Sequence, residues 1–156
     1  MSMLPLLVEH SEEMAAVLAD PGLHVFIGGV PLSPAELRAR YGRMTAGSPD
    51  PAVSWCNWVL RLEADGCLAG TVQATVTAGE RGSTAEIAWV VGTPWQGRGI
   101  ATEAARALVG WLGGQGVRTV IAHVHPDHRA SAAVAASAGL LPTAEVQDGE
   151  VRWQLP

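Results

Sequence analysis

Apolar positions recur along this chain with two different periods, and each change of period marks an element. Trp55 to Glu63, Cys67 to Thr77 and Thr84 to Val91 have the length and branched apolar content of strands. The first two flank Ala64-Asp65-Gly66 and read as a hairpin. From about Gly99 to Leu112 the period turns helical, placing Ile100, Ala101, Ala104, Leu108 and Leu112 on one side. Val117 to Val124 is a strand again, so this strand–helix–strand passage predicts a parallel neighbour reached by right-handed crossover.

The flanking segments complete the series. Leu4 to Val8 reads as a short first strand, and Ser11 as the cap of an Ala-rich helix ending near Asp20. A loop punctuated by Gly28-Gly29 follows, and then Ser33, with Pro34 behind it, starts a helix through about Arg43. Ala130 to Ala138 is a small-residue helix stopped by Gly139. Leu141 to Val146 and Glu150 to Leu155 close the chain as a hairpin. The fold class expected is α/β in the α+β sense. It comprises a mixed, mostly antiparallel twisted sheet of about six or seven strands with about four helices, parallel only between the fourth and fifth strands.

Composition narrows the setting. A length of 156 residues suits one domain, residues 1–156, with a single continuous core. No apolar run approaches the roughly 20 residues of a membrane helix, so no membrane partner is expected. The start has no basic region and is interrupted by Pro5, which argues against a signal peptide and for a cytoplasmic location. Fifteen acidic residues face ten basic ones, and every basic one is arginine. That balance argues against a nucleic-acid partner, which needs clustered cations. It favours a cationic partner such as an amine, although a solvated surface also explains it. Cys56 and Cys67 fall out of register across the hairpin, so two buried free thiols are expected and no disulfide.

The most informative chemistry lies between Glu86 and Ala105. Gly92-Thr93-Pro94 breaks the strand, because proline lacks the donor a continuing ladder needs. From Gly97 to Thr102 the backbone carries N–H groups beside small side chains, and the helix that follows adds its unpaired first-turn amides. Such a junction can hold a diphosphate. A dinucleotide-binding turn is the poorer reading, because the glycine pattern is incomplete and antiparallel strands come first.

Gln96-Gly97-Arg98-Gly99-Ile100-Ala101, with Pro94 ahead of it, resembles the Gln/Arg-x-x-Gly-x-Gly/Ala signature of the GNAT superfamily of acyl-CoA-dependent N-acyltransferases. Val124 to Leu140 is similar to that family's fifth-strand exit and last helix. The resemblance spans nearly the whole chain and looks closest to the branch acetylating ribosomal-protein N-termini, aminoglycosides and other amines. It implies an enzyme that moves an acetyl group from acetyl-CoA to a primary amine of a small molecule, protein or peptide, by direct attack in a ternary complex. No metal is implied, and the assembly expected is a monomer or homodimer. Val90 and Val91 would offer strand-edge backbone groups to the pantetheine arm. Gln96, Gly97, Arg98, Gly99, Ile100, Ala101 and Thr102 would surround the pyrophosphate, with Arg98 supplying the cation. Ser131 would lie beside the pantetheine, with His128 where the family usually carries asparagine. Ala135 stands where many members place a proton-donating tyrosine, which motivates the alternative of a non-catalytic CoA-binding sensor or assembly module.

A primary amine near pKa ~10.4 must lose a proton before it can attack a thioester. Glu86 is the carboxylate best placed to take it, and an arginine partner or an exposed strand start is its structural alternative. His123, His125 and His128 form a cluster whose first two members share a strand face. Three imidazoles at this spacing suit a metal in principle, but a strand exit and helix cap account for them more simply. His125 is retained as a proton carrier near the cleft. Core packing is the default expected of the tryptophans, Trp89 and Trp111 first, while Trp95, within the phosphate turn, would otherwise pack beneath the cofactor and Trp55 or Trp58 would line the acceptor cleft.

Overall fold

The hairpin around Asp65 forms in the computed structural model, which describes residues 1–156, and belongs to a seven-stranded sheet of order β1-β2-β3-β4-β5-β7-β6. The strands are β1 (Ser2–Pro5), β2 (Val53–Arg61), β3 (Leu68–Thr77), β4 (Ser83–Val91), β5 (Val117–Val124), β6 (Leu141–Gln147) and β7 (Glu150–Gln154). All neighbours are antiparallel except β4 and β5. The helices are α1 (Ser11–Val17), α2 (His24–Ile27), α3 (Pro34–Ala46), α4 (Ile100–Gly114) and α5 (Arg129–Ser137). No helix is long and apolar enough to cross a membrane.

Local chemistry explains these boundaries. Asp65 Oδ1 accepts from Cys67 N at 3.0 Å, which folds the β2–β3 turn onto itself, and Gly66 supplies the left-handed residue. Ser33 and Glu36 form a reciprocal capping box at the start of α3, satisfying two of its orphan donors. Ser11 does not cap α1. Its hydroxyl donates back to Val8 O at 2.7 Å, because a 3-10 turn (Val8–His10) precedes the helix and buries that side chain. The first strand likewise lies earlier than its apolar residues suggest, since Ser2 to Pro5 pairs with Arg61 to Trp58 while Leu6 turns into the core.

Strand alternation divides the sheet into two faces. One face carries Leu60, Val72, Ala74, Ala85, Ile87, Val120, Ala122 and Val124, packed under Ile100, Ala104, Ala105, Leu108 and Leu112 of α4. Leu108 and Leu112 are fully buried, and each such side chain contributes roughly 1.5–3 kcal/mol by leaving water. The opposite face carries Val59 under Met14, Val17, Leu37 and Tyr41 of α1 and α3. Glu13 Oε2 accepts from Leu68 N at 2.6 Å and ties α1 to the start of β3. Cys67 is exposed rather than buried, because it lies in the turn before β3. Trp111 is 42% exposed and meets Trp58 edge-on at 5.1 Å, so it covers the sheet's rim instead of filling the core.

Close backbone approach fixes β3 against β4. A Cβ at Gly70 would stand 2.2 Å from Val90 O, a distance that backbone on both strands would have to yield. Gly70→Ala is therefore expected to destabilise the protein by roughly 3 kcal/mol. Urea unfolding checks it, and a midpoint within error of the parent would show that the strands part freely there.

Candidate active site

The β4–β5 ladder is short. Ser83, Thr84, Ala85 and Glu86 pair with Val117, Thr119, Val120 and Ile121, and the pairing ends there. Beyond Glu86, β4 keeps β3 on one side and no strand on the other, while β5 turns to β7. Gly92 N donates to Ala69 O at 2.8 Å, so antiparallel alternation commits the backbone of Val90 to β3 and leaves that of Val91 on the open edge. For Val90 the geometry thus differs from the expected edge contact: its backbone pairs with β3, and the residue lines the neighbouring cavity.

The glycine turn grows directly from this edge. Thr93–Trp95 forms a single 3-10 turn, and Gln96 Nε2 donates to Val91 O at 3.0 Å, folding the turn back on the strand. Gly97 and Gly99 have φ of 78° and 75°, values that favour glycine, and a Cβ at either would meet nothing within 4 Å. The amides of Gly97, Arg98, Gly99, Ile100, Ala101 and Thr102 donate to no protein acceptor; the first bond of α4 runs from Glu103 N to Gly99 O. This row of free N–H groups beside the exposed Arg98, at a helix N-terminus, fits a diphosphate. Trp95 packs between the two cores, its ring 2.9 Å from where a Gly92 Cβ would lie. The turn is also held from the far side, where Thr93 Oγ1 donates to Asp20 Oδ2 at 2.7 Å. That bond, with a second from Gly22 N, keeps the Asp20 carboxyl below its usual range.

At the end of the ladder Glu86 Oε1 meets His123 Nδ1. The contact follows from register: Ile121 stands opposite Glu86, and His123, two residues on, shares its face. Sequence reasoning paired Glu86 with no histidine, because the crossover register is not written in either strand. His123 is 13% exposed and Glu86 50%, so the carboxylate looks into an open cleft of about 310 Å³ that Phe26, Gln73, Thr75 and Glu150 also line.

His125 does not join this pair. It sits past the end of β5, its Nδ1 accepting from Asp127 N at 3.0 Å, with the Phe26 ring tilted against it at 5.1 Å. Phe26, the only phenylalanine, also lies 4.3 Å from the His128 ring. It reaches both from α2, a single turn between Gly22 and Gly28-Gly29 that reads as loop in the sequence. His128 is the N-cap of α5, its Nδ1 accepting from Ser131 N at 3.2 Å, with Nε2 3.3 Å from Ser131 Oγ. The three histidines thus turn to different partners, and no group of three His, Cys, Asp or Glu residues is arranged to hold a metal ion. Ala135 is fully buried within α5.

A family model for the acetyltransferase (GNAT) domain matches residues 3–141. The chain belongs to the GNAT acetyltransferase family. No curated protein matches this GNAT chain in sequence. Among solved structures it is similar to AAC(6')-Ib in complex with paromomycin and acetyl-CoA, at 16% identity and a TM-score of 0.79, over 99% of this chain and 92% of that one. It is also similar to spermidine N-acetyltransferase from Vibrio cholerae in complex with CoA and spermine, at 14% identity and a TM-score of 0.77, over 98% and 92%. A GNAT-family acetyltransferase from Bacillus anthracis matches at 18% identity and a TM-score of 0.76, over 97% and 89%. At these identities the likeness is one of fold.

The His128 cap titrates, as an asparagine cap would not. Burial lowers the His128 pKa from 6.5, so the unfolded chain binds its proton more readily than the folded one. The cap's contribution is therefore complete above pH 6.5 and falls as pH drops through the lowered value. Thermal melts of the parent and His128→Asn are expected to lie close at pH 7.5 and to diverge as the solution is acidified to pH 5, because only the parent's cap takes up a proton. Parallel melting curves across that range would show that the cap does not depend on neutral imidazole.

Proposed function

We propose that this GNAT protein is an acetyl-CoA-dependent N-acetyltransferase acting on a primary amine of a small molecule, protein or peptide. One observation carries the reading: free amides from Gly97 to Thr102 open onto the same strand parting that holds Glu86 against His123. Family membership supports it, as do neighbours captured with CoA and spermine or with acetyl-CoA and paromomycin. The reading includes a cytoplasmic location.

Bound acetyl-CoA supplies an activated acetyl group as a thioester. The amides of Gly97 to Thr102 and the Arg98 guanidinium hold its diphosphate, and Gln96 keeps the turn in place. His128 and Ser131 line the pantetheine arm. The Val91 amide, on the open edge, donates to the thioester oxygen and steadies the charge it gains. Glu86, oriented by His123, takes the proton of the acceptor ammonium directly or through one water. The freed nitrogen then bonds to the carbonyl carbon as the carbon–sulfur bond breaks, and the amide becomes neutral by giving its extra proton to solvent. With Ala135 buried, the departing sulfur draws its proton from His125 or Ser131. Because His125 Nδ1 accepts from Asp127 N, its neutral ring carries the proton on Nε2.

Release of free thiol from acetyl-CoA across a panel of amines tests the activity. Glu86→Gln is expected to lower kcat by roughly 10²–10⁴-fold and to leave the Kd for CoA, read by calorimetry, near the parent value. Equal losses in turnover and CoA affinity would make Glu86 structural. CoA binding without thiol release from any amine would instead favour a sensor or assembly module.

A further inference from the structure

Two cavities adjoin on the α1–α3 face of the sheet, sharing Ile27, Gln73 and Ala88. The smaller holds the carboxylates Glu86 and Glu150 beside His123. The larger, of about 540 Å³, is walled by Leu18, Leu23, Leu32, Leu37 and Met44. No aspartate or glutamate lines it, and Arg40, exposed and without an acidic partner, is its one arginine. A polycation extending from the smaller cavity would therefore leave its second ammonium against hydrocarbon and facing a like charge.

That wall nevertheless carries two unsatisfied polar atoms. The Tyr41 hydroxyl and His24 Nε2 are both buried without a hydrogen-bond partner. Tyr41 is 3% exposed, and burial pushes its phenol up to about 12, so it stays a neutral donor at working pH. His24 Nδ1 lies 3.2 Å from Gly28 O, and a carbonyl only accepts, so Nδ1 carries the proton and Nε2 of the neutral ring is an acceptor. Buried groups of this kind are normally satisfied, and a ligand that fills the cavity can satisfy them.

We propose that the acceptor is a primary monoamine with an apolar body that carries a hydroxyl or amide group away from the nitrogen. The ammonium sits at Glu86 and Glu150, the body fills the larger cavity, and the distal group answers Tyr41 and His24. This deepens the N-acetyltransferase reading and rests on it. It also sets this chain apart from its structural neighbours bound to spermine and paromomycin, whose acceptors carry several cations.

The test measures kcat/KM by thiol release with tyramine, 2-phenylethylamine and spermidine on the full chain. Both aromatic monoamines are expected to exceed spermidine by on the order of 100-fold, since a second charge would be buried unpaired. Tyr41→Phe is expected to lower kcat/KM for tyramine roughly three- to tenfold more than for 2-phenylethylamine. Gln73→Glu, a near-isosteric change where the cavities meet, is expected to narrow the preference over spermidine about tenfold by offering a carboxylate to the second ammonium. Spermidine matching or exceeding the monoamines overturns the proposal. Loss of the hydroxyl-specific effect in Tyr41→Phe, with both monoamines falling together, overturns the distal contact. Calorimetry with tyramine and spermidine reads the cavity apart from turnover. Tighter tyramine binding with no thiol release would retain the cavity assignment and discard the acetyltransferase, and tighter spermidine binding would discard the cavity assignment itself.

Discussion

The premature end of one parallel ladder organises this molecule. β4 and β5 pair only as far as Glu86 and Ile121, and every functional feature lies at or beyond that point. A continuous ladder would have used the outward amide of Val91 and sealed the cleft between the strands. Because β7 takes up the far side of β5 from Ile121 to Val124, the parting costs β5 only one of its two neighbours. β4 is held to β3 along its whole length, with Gly70 admitting the Val90 carbonyl at close range. The open edge thus lies between two strands that are each paired on their other side.

The two faces of the sheet divide the work. Under α4 the side chains are small and branched, and they make a dry core that fixes the helix whose N-terminus offers the free amides. On the α1–α3 face the strand residues opposite those are Asn57, Gln73, Thr75, Glu86 and His123, a polar row that would be costly in a sealed core. They are tolerated because α2 and the segments around it arch over the row instead of packing into it, leaving cavities. Asp20 joins that arch to the glycine turn through Thr93, so the cavities and the row of free amides share one hydrogen bond.

Much of this was legible in the chain because it depends on local chemistry. The break at Pro94, the glycines at 97 and 99, the cap at Ser33 and the helix from Ile100 follow from residues within a turn of one another. The start of α1 was misplaced because Ser11 looks like a cap from its neighbours, whereas a preceding 3-10 turn makes it a buried donor to Val8. Phe26 is hidden for a related reason: the five residues between Gly22 and Gly28 carry no period, and only the fold brings Phe26 against His125 and His128.

By itself the sequence determined the glycine turn from Gly97 to Thr102, the strand that leads into it and the parallel crossover that follows. Backbone conformation and hydrogen-bond supply are set residue by residue, so glycine, proline and the capping side chains announce them. Tertiary structure alone decided which histidine meets Glu86, where the ladder stops and what kind of cavity faces the cleft. Those depend on register between strands more than thirty residues apart and on the space left between packed elements, and neither is a property of any short stretch of chain.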